Sequence, residues 1–154
     1  MNMKTVLCAS ILLLAVLICG CTTTNAQNTV AAATPEIPNL IVPNLTGNWT
    51  GTMKGYDYGT GFNDYSGYTM TLAVIEQQDR VFSGEVSFTN QTGSLVWGVT
   101  PCAGVIGRDG KAITIIENEG GYSSGSLIAS DEMELIYADG REPVSIAIDS
   151  LKKS

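Results

Sequence analysis

From residue 44 to residue 151 the apolar and polar positions alternate with a period of two. No segment of helix length interrupts the alternation. In residues 45–56, Leu45, Gly47, Trp49, Gly51 and Met53 share one face, and Thr46, Asn48, Thr50, Thr52 and Lys54 share the other. That pattern suits a strand with one face on a core and one in water. Residues 68–77 set Met70, Leu72 and Val74 against Thr69, Thr71 and Ala73. Residues 81–89 place Phe82, Gly84, Val86 and Phe88 inward, with Ser83, Glu85 and Ser87 outward. A fourth strand is expected within 95–106, broken at Pro101, because proline removes a ladder donor. Four more follow at 112–118, 122–129, 132–138 and 143–151. Met133, Leu135 and Tyr137 share a side of the seventh. Val144, Ile146 and Ile148 alternate with polar or small residues in the eighth.

The segments between them carry turn chemistry. Asp109-Gly110 and Asp139-Gly140 suit the positive φ angles of tight hairpin turns, and Gln78-Asp79, Gly120-Gly121 and Ser130-Asp131 mark the others. Eight short strands joined mostly by tight turns predict an all-β antiparallel meander. Such a meander closes into an up-and-down barrel, which removes exposed sheet edges, or stays an open sandwich. The interior of an eight-stranded barrel is either filled by side chains or holds one small ligand.

The residues of the first strand carry a resemblance. Asn44-Leu45-Thr46-Gly47-Asn48-Trp49-Thr50 resembles the opening strand of the calycin superfamily, the avidins and lipocalins, which begins Gly-x-Trp. The resemblance implies that Trp49 plugs one barrel end and that Gly47 lets another strand cross closely. It also implies that Lys152 or Lys153, near the end of the last strand, stacks on the Trp49 ring. The connection after the first strand would be a lid over the open mouth. The small barrels of bacterial metalloprotease inhibitors are a second likeness, and residues 44–151 are similar to exported lipoproteins of methanogenic archaea.

The N-terminus differs in kind. Lys4 precedes an apolar stretch, residues 7–18, of signal-peptide length and short of a confident membrane span. Leu17-Ile18-Cys19-Gly20-Cys21 resembles a lipobox, which implies cleavage before Cys21 and lipidation of its thiol. An uncleaved anchor helix is the other reading, and both place the remainder outside the cytoplasm, facing outward. The expected organisation is a signal peptide at 1–20, a lipid-anchored tether at 21–43, the barrel at 44–151 and a tail at 152–154. Pro35, Pro38 and Pro43 discourage regular structure in the tether. Sequons at Asn44, Asn48 and Asn90 are candidate glycosylation sites on an exported domain.

Composition narrows the chemistry. The chain has no histidine, which removes the commonest general base and metal ligand. Net charge is −7 with no basic cluster, so nucleic acid is set aside as a partner. Cys102 is the one cysteine beyond residue 21; lacking an imidazole to activate it, it reads as a small buried apolar residue. No cofactor, metal or catalytic residue is assigned. Asp57, Asn63 and Asp64 lack calcium-loop spacing. Glu117 and Glu119, or Asp131, Glu132 and Glu134, read as a solvated rim before they read as a catalytic carboxylate pair.

Residues 55–68, GYDYGTGFNDYSGY, stand apart. Tyr56, Tyr58, Phe62, Tyr65 and Tyr68 lie among glycines and aspartates there, a composition that gives rigid amphipathic contact area on an adaptable backbone. These rings, with Trp97 behind them, are the candidate ligand contacts for a small hydrophobic or sugar-like molecule. The plainer alternative is that one or two cap the core. The expected function is a non-enzymatic, cell-surface binding module, or else a filled barrel that engages an envelope protein or inhibits a protease.

Overall fold

A computed structural model describes residues 41–118 and 120–154. The expected signal peptide, lipidated Cys21 and nearly all of the tether lie outside the described residues. The described residues form nine strands: β1 (Gly47–Asp57), β2 (Gly61–Asn63), β3 (Tyr68–Gln78), β4 (Val81–Asn90), β5 (Leu95–Ile106), β6 (Ala112–Glu117), β7 (Tyr122–Ala129), β8 (Glu132–Asp139) and β9 (Ser145–Lys153). All pairings are antiparallel, β1 and then β3 through β9 neighbour one another in chain order, and β9 returns to pair with β1. The eight long strands therefore form a closed meander barrel with no free long edge. The short β2 is an added flap on β1, with Tyr56 opposite Phe62. Three residues among glycines carry too little alternation to be read as a strand.

Period two decides what is inside. Trp49 and Met53, Met70 and Leu72, Phe82 and Val86, Ile113 and Ile115, Met133 and Leu135 all face the axis and are buried. Each fully buried aliphatic side chain contributes roughly 1.5–3 kcal/mol. The apolar residues of β9 point the other way: Ile146 and Ile148 are about half exposed, while Ala147, Asp149 and Leu151 face inward. The register sets this, since Leu151 pairs with Gly51 and Met133, and its inward parity carries along the whole strand.

Two expectations need correction. The first strand begins at Gly47, and Leu45 instead plugs the barrel bottom, almost fully buried. The fourth expected strand, β5, is not broken at Pro101. The Pro101 carbonyl accepts from Asn118 N–H at 2.9 Å just past the end of β6, so the missing donor falls where that ladder has ended. The irregularity sits earlier, where Trp97 and Gly98 are two extra residues opposite the Ser87–Phe88 step of β4. Both have positive φ, 59° and 83°, and the bulge swings the Trp97 ring to the rim.

The two barrel ends differ. At the closed end the Trp49 indole N–H donates to Leu45 O at 2.7 Å, and Lys153 Nζ lies 5.3 Å from the Trp49 ring while donating to Asn44 O. Gln77 accepts from Leu45 N–H and donates to Pro43 O, which ties the incoming chain across the bottom. Gly47 takes φ 120°, and a Cβ there would meet only Lys153 Cε at 3.5 Å. The tight strand crossings fall at Gly51 and Gly125, where a Cβ would collide with the backbone carbonyls of Ser150 and Glu134. The sequon residues Asn44 and Asn48 are exposed near this end. Asn90 is half-buried at the other, its Oδ1 accepting from Thr92 and Ser94.

Candidate functional site

At the opposite end the inward rows do not meet, and a cavity of about 320 Å³ opens along the axis. Met53 and Met70 line it beside Phe88 and Trp97; Asp57, Tyr65, Glu117, Tyr137, Ser145, Ala147 and Asp149 complete its wall. The strand parities that place Trp49 and Leu151 in the core also place Asp57 on β1, Glu117 on β6 and Asp149 on β9 inside the barrel.

The polar side is organised around two carboxylates. Asp57 accepts from Tyr65 Oη and from Ser145 Oγ, each at 2.7 Å, which joins the first loop to the start of β9. Burial and this bond to Asp57 hold the Tyr65 hydroxyl well above its ordinary pKa. Deeper in, Asp149 is 2% exposed and its Oδ1 has no hydrogen-bond partner. Burial, then the charge of Glu117, pushes its pKa up to about 7. Burial followed by Glu117 also raises Tyr137 to about 12. At the rim, hydrogen bonds from Arg141 hold Asp139 down to about 2, and their shortest contact is 2.6 Å. Among the described residues lining the cavity there is no lysine or arginine.

The structure distributes the six candidate aromatic residues over three places. Tyr65 and Trp97 line the cavity. Tyr68 stacks on Trp97 at 5.1 Å, and Phe88 meets the same ring edge-on at 5.4 Å. Tyr56 and Phe62 pair edge-to-face at 5.1 Å on the outer wall, and Tyr58 is exposed with its N–H on Val144 O. Asn63 and Asp64 bind their own loop, accepting from the N–H groups of Tyr65 and Ser66. No three His, Cys, Asp or Glu among the described residues come together as a metal site. Cys102 is buried, and desolvation raises its thiol to about 11, as befits an inert interior cysteine.

Sequence reasoning missed Asp149 and Tyr137 and placed Glu117 on a solvated rim. Each occupies an inward parity position of its strand, and that is the signal that marks them. A second, larger depression of about 820 Å³ runs over the outer wall beside Tyr56, Phe62, Ile136, Ile146 and Ile148. It continues an apolar row in which Ile116, Tyr122, Ala138, Ile146, Tyr56 and Phe62 stand side by side on successive strands.

No protein-family model matches the chain, and no curated protein matches it. Solved structures that resemble it are β-barrels. The protein EF1p2_mFAP2b bound to DFHBI shares 10% identity over 71% of this chain and 94% of its own, with a TM-score of 0.48. A de novo designed fluorescence-activating β-barrel shares 10% over 71% and 93%, at 0.44. A redesigned β-barrel, mFAP0, bound to DFHBI shares 12% over 71% and 98%, also at 0.44.

Proposed function

We propose that this protein is a non-enzymatic binding barrel, exported and held outside the cytoplasmic membrane through Cys21, which takes a small ligand into the barrel mouth. The observation that carries the reading is the cavity itself. It is axial, floored by Met53 and Met70, walled by the Trp97 cluster and open at one end. Its volume of about 320 Å³ lies at the low end of ligand pockets, which run from about 300 to 1,000 Å³. The anchor rests on the sequence of residues 1–21.

The test separates the mouth from the outer wall. The full-length protein is incubated with extract of its source cells and weighed by native mass spectrometry. A discrete added mass is expected. Tyr65→Ala with Trp97→Ala removes it, whereas Tyr56→Ala with Phe62→Ala leaves it in place. Loss of the added mass only in the outer-wall pair sinks the mouth as the site.

The outer apolar row favours a second reading, an interaction module of the envelope, because contiguous exposed apolar surface marks contacts with other molecules. Under that reading the small added mass is missing and crosslinking on whole cells returns a single protein through Phe62 or Ile146.

A further inference from the structure

A buried carboxylate oxygen with nothing bound to it is unusual in a folded protein, and Asp149 presents one to the cavity. Leaving such an atom unpaired costs about 1–3 kcal/mol, more if charged. The hydroxyl donors that face the cavity are engaged elsewhere: Tyr65 and Ser145 donate to Asp57, and Tyr137 donates to Asp139. The cross-strand partners of Asp149 are Met53 and Leu135. The other titratable groups facing the cavity are Asp57 on β1, Tyr65 in the first loop, Glu117 on β6 and Tyr137 on β8. Arg141, at the rim, is paired with Asp139. The cavity thus combines three carboxylates with an apolar wall rich in aromatic faces and thioether sulfur.

Resting on the reading of the mouth as a ligand site, we propose that the ligand is a small organic amine with a compact apolar or aromatic body. Its ammonium group meets Asp149 and Glu117, and its body lies between Trp97, Phe88 and Met70. An ammonium carries three donors and no acceptor, which matches a wall of acceptors. Ring faces add attraction for a cation. An anion meets repulsion from three sides. A neutral apolar molecule fits the wall but leaves Asp149 Oδ1 unpaired.

The arrangement also links binding to protons. Asp149 is ionised in the complex but shifts toward its neutral form below about pH 7 in the empty barrel. Amine affinity therefore falls by roughly tenfold for each pH unit below that point, as Asp149 of the empty barrel must release its proton for the amine to bind.

Three probes share one body and differ in charge: 2-phenylethylamine, 2-phenylethanol and 3-phenylpropionate. Each is titrated into the full-length protein by calorimetry. The amine binds best, the alcohol at least about tenfold more weakly and the carboxylate weakest, a spread expected for one charge-assisted contact. Asp149→Asn lowers amine affinity by more than about tenfold and alcohol affinity by far less; Glu117→Gln lowers amine affinity by a smaller factor. Equal affinity for amine and alcohol overturns the cation while leaving the mouth as a site. So does full amine affinity in Asp149→Asn. Saturable binding of calcium chloride in place of the amine replaces an organic cation with a metal. If the amine fails to bind and the protein also stays at its bare mass in extract, the binding barrel itself is lost with it.

Discussion

Asp149 ties the barrel's stability to pH through a single side chain. Its pKa rises from an ordinary carboxylate value to about 7 on folding, with burial the larger cause and Glu117 the smaller. Between these two values the folded chain binds a proton that the unfolded chain has released. Stability is therefore fullest below the unfolded pKa of about 4 and declines as pH rises through about 7. Carrying the charge at about pH 8 costs on the order of 4 kcal/mol for a shift of this size. Asp149→Asn keeps the shape and removes the ionisation. Urea midpoints of the wild type are expected to fall between about pH 5 and pH 8, while those of the variant change much less and exceed the wild type at the alkaline end. A wild-type profile that is flat, or that rises with pH, denies the buried charge. Tyr65 sits at the same mouth but acts differently: its hydroxyl donates to Asp57, so its contribution is a bond that holds the loop in place.

Strands and turns were largely legible because each carries its own local pattern. The expected strand at 68–77 is β3, that at 81–89 is β4, and the last three follow their turns at Gly120-Gly121, Ser130-Asp131 and Asp139-Gly140. What alternation does not state is which parity faces in when both parities hold apolar residues. In β9 the isoleucines look like the core face, yet closure against β1 gives that face to Ala147, Asp149 and Leu151. The same ambiguity hid the candidate site. A polar residue in an alternating strand is assumed to face water, and Glu117 and Asp149 face the axis because their positions match Ile115 and Leu151 two residues away. The Trp97 bulge was hidden for another reason. It depends on two extra residues against β4, and pairing is not local information. Closure itself rests on glycine. Gly51 pairs with Leu151 where β1 and β9 cross, and a methyl group there would strike the Ser150 carbonyl. Gly51→Ala is expected to cost about 3 kcal/mol, the upper part of the range for overpacking, while Gly59→Ala, in open space but at φ 97°, is expected to cost less. Denaturant titration of both variants checks the order, and a Gly51→Ala protein as stable as the wild type rules out the close crossing.

Across the whole molecule the barrel divides its work between its ends. The closed end concentrates packing: Leu45 and Trp49 are sealed inside, Lys153 lies over the indole ring, and Leu151 meets them from the last strand. The open end holds the groups that packing alone does not favour, among them a buried carboxylate with one unpaired oxygen and an exposed Trp97. Rigid strands connect the two, but no side chain is shared between the Trp49 bonds and the Tyr65–Asp57–Ser145 bonds. Their energies should therefore add. Trp49→Phe removes the indole bond to Leu45 and some of the ring volume, and is expected to cost about 2–3 kcal/mol. Tyr65→Phe removes a bond to a carboxylate and is expected to cost about 1–2 kcal/mol. The double variant should lose the sum of the two to within about 0.5 kcal/mol. Ligand affinity should respond differently, unchanged by Trp49→Phe and weakened by Tyr65→Phe, because only the second residue touches the cavity. Urea titration measures the first comparison, and titration of 2-phenylethylamine measures the second. A coupling of more than about 1 kcal/mol, or a loss of affinity on changing Trp49, would mean that the bottom of the barrel sets the shape of its mouth.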